Sequence, residues 1–139
     1  MQENGKSKIR VVIADDNREY VEVLCNFLKQ KPQIEIVGYA YDGLEAINQI
    51  RMTSPDVLIL DMVMPNLDGF GVLERLKNVR LNKVPKVLVV SAVLNDSIAA
   101  KTIALGAKYF MLKPVDFDTL IARIEMFVKE EEPRIKEFR

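Results

Sequence analysis

Val57-Leu58-Ile59-Leu60-Asp61-Met62-Val63-Met64-Pro65-Asn66-Leu67-Asp68-Gly69 runs four apolar residues straight into a carboxylate and then into a turn rich in Pro, Asn, Asp and Gly. A short run of Leu and β-branched residues bounded by turn signals predicts a buried strand. Asp61 then stands at the strand's C-terminal end, where a parallel sheet opens onto its binding crevice. A charge in that position is costly unless something pairs with it. The rest of the chain has to supply the partner.

Outward from this strand the pattern repeats. Upstream, Ile9-Arg10-Val11-Val12-Ile13-Ala14 predicts a first strand ending in Asp15-Asp16-Asn17, with Asp16 or Asn17 as the cap of the next helix. In that helix Tyr20, Val21, Leu24, Phe27 and Leu28 form one apolar stripe, and Lys31-Pro32 ends it. Ile34-Glu35-Ile36-Val37-Gly38-Tyr39 alternates as a second, more exposed strand. A helix over about Asp42 to Met52 is expected to bury Leu44, Ile47 and Ile50.

Downstream, Gly69 to about Val79 predicts a helix with Phe70, Leu73 and Leu76 inward. Val87-Leu88-Val89-Val90 is a wholly apolar strand delivering Ser91. Asn95 or Asp96 caps a helix to about Leu105, and Gly106 stands where a left-handed C-terminal residue belongs. Tyr109-Phe110-Met111-Leu112 delivers Lys113-Pro114, and Phe117, Leu120, Ile121, Ile124, Phe127 and Val128 stripe a last helix. Residues 1–8 read as a polar leader, 9–128 as one domain, and 129–139 as a charged helix end or linker broken by Pro133. Five strands alternating with five helices predict an α/β fold, a doubly wound parallel sheet with helices on both faces. Its strand order is expected to be 2-1-3-4-5, as in flavodoxin-like folds.

Composition narrows the chemistry. The chain's 139 residues fit one domain, and Lys+Arg and Asp+Glu both number 20. No basic excess suggests that this segment itself binds nucleic acid. The single cysteine, Cys25, allows no internal disulfide, as expected of a cytoplasmic protein, and its apolar helical setting reads as an inert buried thiol. No apolar run approaches the ~20 residues needed to cross a bilayer. Histidine is absent, which rules out His-based triads, His metal sites and phosphohistidine within the chain.

In a 2-1-3-4-5 sheet the first and third strands flank the topological switch point. Asp15, Asp16 and Asp61 should therefore converge, with Ser91 and Lys113 alongside. Three neighbouring carboxylates repel, and one is expected to hold a proton unless a cation intervenes. An oxygen-only cluster suits Mg²⁺ with retained waters and a phosphate, and the lack of His and Cys partners excludes softer metals. Lys113 offers a point charge and Ser91 a hydroxyl to phosphoryl oxygens. The set suits phosphoryl transfer, with Asp61 as the nucleophile that forms an acyl phosphate.

These residues resemble the response-regulator receiver domain of bacterial two-component signalling, over about residues 8–128. Asp15-Asp16 match its acidic pair, Asp61 its phosphoacceptor, and Met64-Pro65-Asn66-Leu67-Asp68-Gly69 the loop that follows. Ser91-Ala92 match the switch hydroxyl and its small neighbour, Phe110 the switch aromatic, and Lys113-Pro114 the active-site lysine and proline. The resemblance implies Mg²⁺ (or Mn²⁺) held by Asp16, Asp61 and the Val63 backbone carbonyl, with Asp15 acting partly through water. It implies a phosphoryl group on Asp61 drawn from a histidine kinase or histidine phosphotransferase, and a cis bond before Pro114. Phosphorylation would draw in Ser91, let Phe110 rotate, pair Lys113 with the phosphoryl group, and alter the face formed by helix four, strand five and helix five, where a homodimer is possible. Ala14 to Glu19, Pro55 to Leu58, Val72 to Leu76 and Leu105 to Phe110 are similar to receivers of sporulation-type transcription regulators, which implies a DNA-binding domain beyond Pro133.

Other readings fit less well. A haloacid-dehalogenase-like phosphatase also uses Mg²⁺ and a strand-end aspartate, but it wants a second Asp two positions on, where Val63 stands. A receiver-like domain acting by protein contact alone usually lacks an acid or the lysine, and none is missing here. Gly69-Phe70-Gly71 runs into Val72-Leu73-Glu74 with no third glycine, so it is no dinucleotide fingerprint.

Overall fold

A computed structural model describes residues 8–93 and 95–129. The expected leader, except Lys8, and the expected linker from 130 onward lie outside the described residues. The elements run β1 (Ile9–Ala14), α1 (Arg18–Lys29), β2 (Ile34–Ala40), α2 (Gly43–Thr53), β3 (Val57–Leu60), α3 (Gly69–Asn78), β4 (Lys86–Ser91), α4 (Asp96–Ala104), β5 (Tyr109–Leu112) and α5 (Phe117–Lys129). The strands form one parallel sheet in the order β2-β1-β3-β4-β5. This is the doubly wound fold that the alternation of elements predicts.

Side chains alternate across the sheet with period two, and the two faces bury different halves of the same strands. Val12, Ala14, Leu58, Leu60, Val87 and Val89 pack with Ala46, Ile47 and Ile50 of α2 and Val72, Leu73 and Leu76 of α3. Val11, Ile13, Val57, Ile59, Leu88 and Val90 pack with Leu24 and Leu28 of α1 and Leu120 and Ile124 of α5. A strand buried on both sides has to be apolar at every position, which is why Val57–Leu60 reads as an unbroken run. Each large aliphatic chain so buried stabilises the fold by about 1.5–3 kcal/mol. Cys25 is buried in the α1 layer, and burial pushes its thiol up, away from the reactive thiolate.

Caps set the helix starts. The Asn17 side chain, not that of Asp16, accepts the Tyr20 amide, and Asp42, Asp68 and Asn95 cap α2, α3 and α4 in the same way. Gly106 takes φ +113° just beyond α4, a conformation that side chains rarely adopt. Leu44 departs from expectation. It is 43% exposed, because Ala46, Ile47 and Ile50 already cover the strip of α2 that meets the sheet. Phe70 is only half-buried, at the edge of the α3 face.

Helix α4 is the least anchored. Thr102 is its one buried residue, and Ile103 is 47% exposed. Its N-terminus depends on Asn95, whose side chain accepts the Ile98 amide at 2.8 Å. Asn95→Ala is expected to cost about 1 kcal/mol, the usual value of a lost cap. Amide hydrogen exchange should show the loss in α4 and leave the amides of α1 unchanged.

Candidate functional site

Register brings the carboxyl ends of four strands together. Ala14 pairs with Leu60, Leu60 with Val89, and Ser91 with Leu112. Backbone hydrogen bonds carry the alignment one residue further. The Asp15 amide donates to the Ala40 carbonyl at 3.0 Å, that of Asp61 to Ala14 at 2.9 Å, and that of Lys113 to Ser91 at 2.8 Å. Asp15, Asp61, Ser91 and Lys113 thus occupy adjacent positions along one edge of the sheet.

One carboxylate oxygen from each of Asp15, Asp16 and Asp61 lies within 4.8 Å of the other two. Asp15 and Asp61 are buried and Asp16 is exposed, so the cluster has a closed floor and an open mouth. Asp15 is fully engaged: its Oδ1 accepts the Asn17 amide at 2.9 Å, and its Oδ2 accepts from Lys113 Nζ at 2.6 Å. Lys113 therefore rests on Asp15 across the crevice, in a pair whose acid is buried and whose lysine is partly exposed.

Asp61 is the less compensated of the two buried acids. Its Oδ1 accepts the Met62 amide at 2.8 Å. Burial, and then the negative charge of Asp15, push its carboxyl up from the ordinary range, while Lys113, the Ser91 hydroxyl and the Met62 amide offset part of that shift. A more basic carboxylate is a better nucleophile, and this one shares a cleft with two further acids.

The loop after β3 is held close against the end of the strand. The Gly69 amide donates back to the Met62 carbonyl at 2.9 Å. A Cβ on Gly69 would stand 2.7 Å from Met62 Cα and 2.8 Å from the Asp61 carbonyl oxygen, so only glycine lets α3 begin this close to the strand end. Asn66, at φ +69°, sends its Nδ2 to Asp42 Oδ2 at 2.7 Å and ties the loop to the start of α2. Val63, between these anchors, has an exposed side chain.

Ser91 is fully buried, and its Oγ accepts a long hydrogen bond of 3.4 Å from the Val93 amide. Phe110 is half-buried on the α3 side of the sheet. The Lys113–Pro114 peptide is cis. Sequence reasoning brought Asp15, Asp16, Asp61, Ser91 and Lys113 together, and they are together. It missed the Asn66–Asp42 tie and Tyr20. Tyr20 reads as one more apolar residue in the α1 stripe, yet its ring lies beneath the Lys113 ammonium, 4.3 Å from Nζ to centroid. Its place in the first turn after the acidic pair was the available signal.

The donor set fits a hard divalent cation. It consists of carboxylate oxygens, two of them buried with an excess of negative charge, and an exposed mouth able to admit water and a phosphate. The chain has no imidazole, and its one thiol, Cys25, is buried in the α1 layer, so nothing favours a softer metal.

The fold has known relatives. Residues 11–125 match the family model described as the response regulator receiver domain. The fold is similar to the signal receiver domain of the response regulator NarL from Mycobacterium tuberculosis, at 30% identity and a TM-score of 0.83, over 89% of this chain and 98% of that one. It is similar to the response regulator domain of Thermotoga maritima CheB, at 28% identity and a TM-score of 0.81, over 91% and 99% of the two chains. A chain in the CheX–CheY–BeF3–Mg²⁺ complex from Borrelia burgdorferi matches at 25% identity and a TM-score of 0.81, over 92% and 95%.

Proposed function

The chain belongs to the response regulator receiver domain family, and from that premise we propose that Asp61 is a phosphoacceptor whose modification switches an output surface. The observation that carries the proposal is the crevice itself. Asp61 is buried with its carboxyl pushed up, beside two further acids and within reach of a lysine and a hydroxyl. The domain proper would span 9–128, between a leader and a linker.

In this reading Asp16, Asp61 and the Val63 carbonyl hold Mg²⁺ (or Mn²⁺), with Asp15 contributing partly through water. When bound, the ion neutralises charge on the transferring phosphoryl oxygens. The donor is a phosphohistidine on a histidine kinase or histidine phosphotransferase. An Asp61 carboxylate oxygen bonds to phosphorus as the phosphorus–nitrogen bond breaks, and the released imidazole nitrogen takes a proton from solvent. Catalysis of this kind is largely positioning and charge compensation. The domain acts on its own acyl phosphate and has no separate substrate.

Lys113 and the Ser91 hydroxyl then bind phosphoryl oxygens, and the inward movement of Ser91 opens space for Phe110 to turn. The weak anchoring of α4, with Ile103 and Leu112 exposed on α4 and β5, supports a surface there that can change partners. That α4–β5–α5 face would serve a homodimer or an attached DNA-binding domain of the sporulation type. Balanced charge argues that this segment does not itself bind nucleic acid. Among the described residues no helix is long and apolar enough to cross a membrane, and a cytoplasmic setting fits the likeness.

Intact mass after incubation with Mg²⁺ and acetyl phosphate tests the assignment. One hydroxylamine-labile phosphoryl group is expected on the wild type and none on Asp61→Asn or without a divalent ion. A label retained by Asp61→Asn overturns the site. Sustained turnover of many donor equivalents would point to a phosphatase instead.

A further inference from the structure

The Lys113 ammonium makes one ion pair and one contact with an aromatic ring. Its Nζ donates to Asp15 Oδ2 at 2.6 Å and stands 4.3 Å from the centroid of the Tyr20 ring. A cation within about 6 Å of an aromatic face is attracted by the negative face of the ring. Tyr20 is itself fixed: it meets Phe117 edge-on at 6.4 Å and 73°, and Phe117 packs against Phe27 at 5.0 Å. The Tyr20 ring, backed by Phe117 of α5 and through it by Phe27 of α1, thus forms a floor under the lysine. The hydroxyl adds nothing to this anchoring, since the Tyr20 Oη is buried without a hydrogen-bond partner. Burial and the nearby Asp15 and Asp61 charges push that phenol up to about 12, so it stays neutral beside the acids.

We propose that Tyr20 is a positioning residue for phosphoryl capture: its ring face keeps the Lys113 ammonium at the acid cluster as Lys113 exchanges Asp15 for a phosphoryl oxygen on Asp61. The inference rests on the phosphoacceptor reading of Asp61. Its physical content is preorganisation. A lysine on a four-carbon stem loses considerable rotamer freedom when it is held in one place. A ring that attracts the ammonium from the side keeps it partly desolvated and oriented while its anionic partner changes. An aliphatic side chain at this position would fill the space without that attraction.

The probe is beryllofluoride with Mg²⁺, a mimic of the acyl phosphate, titrated by NMR into the folded protein. Tyr20→Phe and Tyr20→Trp, which keep a ring face, are expected to bind within about twofold of wild type. Tyr20→Leu and Tyr20→Met are expected to bind about fivefold to tenfold more weakly, within the range of a partly desolvated cation–ring contact. With Lys113→Met already present, Tyr20→Leu should have no further effect. The side-chain methylene protons next to Lys113 Nζ supply a second readout without any ligand. Ring current should shift them upfield in wild type and Tyr20→Phe and leave them at ordinary positions in Tyr20→Leu. Equal beryllofluoride affinity in the aliphatic variants, the same loss in the Lys113→Met background, or unshifted Lys113 protons in wild type would each overturn the role of Tyr20. Failure of wild type to bind beryllofluoride would instead defeat the phosphoacceptor reading, and the ring-current shifts would still show whether Lys113 rests on Tyr20.

Discussion

Lys113→Met is expected to destabilise the metal-free protein by about 3 kcal/mol and to lose most of that deficit when Mg²⁺ is added. The ammonium is the one cation bonded to the acids among the described residues, through its 2.6 Å contact with Asp15. Removing it leaves Asp15 and Asp61 buried at one end of the sheet, with Asp16 adding its charge from the mouth. Deleting one member of a buried ion pair typically costs about 3–5 kcal/mol, since the other is left as an uncompensated charge. The lower end applies here because Lys113 is partly exposed and Asp15 keeps its bond from the Asn17 amide. For a chain of this length the loss corresponds to a fall in Tm of roughly 10 °C.

A divalent ion should replace what the ammonium supplied. At about a hundredfold excess over its Kd a ligand of the native state adds about 2.7 kcal/mol. The variant's more negative crevice should also bind Mg²⁺ more tightly than wild type does. Urea unfolding of both proteins with and without Mg²⁺ measures each quantity. If Mg²⁺ stabilised the variant no more than wild type, the cation site and the lysine would not share the same acids.

The second large effect has the opposite sign. Asp61→Asn is expected to make the metal-free protein more stable at neutral pH, by about 1–3 kcal/mol, the scale of relieving an undercompensated buried polar or charged group. Burial first, and the Asp15 charge second, raise the folded-state pKa of Asp61 above its unfolded value. Over the window between those two values the native state binds more protons than the unfolded chain, so wild-type stability falls as pH rises through it. The variant's amide carries no such titration. The two proteins should therefore be closest below the unfolded-state pKa of about 4, and the gap should open as pH rises above it and level off once Asp61 is ionised in both states. Mg²⁺ should shrink or reverse the gap, since wild type alone offers it the third carboxylate. Urea midpoints across this range decide the matter, and a gap independent of pH would show that the Asp61 charge is not the cause. A site that stabilises its own loss of charge is one held in readiness for a cation and a phosphoryl group, at some cost to the resting fold.

Much of this was legible along the chain. Unbroken apolar runs such as Val57–Leu60 and Val87–Val90 have to lie in a sheet covered on both faces. The alternation of strand and helix then implies a parallel sheet with right-handed crossovers, for which β2-β1-β3-β4-β5 is one of the common doubly wound orders and the one observed. Once the order is known, the residues after each strand are known to meet, and Asp15, Asp61, Ser91 and Lys113 follow without any side-chain coordinates. Leu44 was misplaced for a related reason. Periodicity says which residues share a stripe of a helix, but the width of the strip that touches the sheet depends on how α2 sits, and Leu44 falls outside it.

The sequence by itself determined the fold, the edge of the sheet where chemistry-bearing residues gather, and the charge type of that edge, because local apolar patterning and turn residues act over a few positions. Only the tertiary structure decided how those groups are partnered. It set Lys113 on Asp15, 98 positions away, put an aromatic ring from α1 beneath the same ammonium, and left Asp61 as the less compensated of the two buried acids. Which of three neighbouring carboxylates a single lysine takes depends on ångström-scale distances and on burial. Both arise when α1 and α5 pack on one face of the sheet, and neither is written in the spacing of the residues.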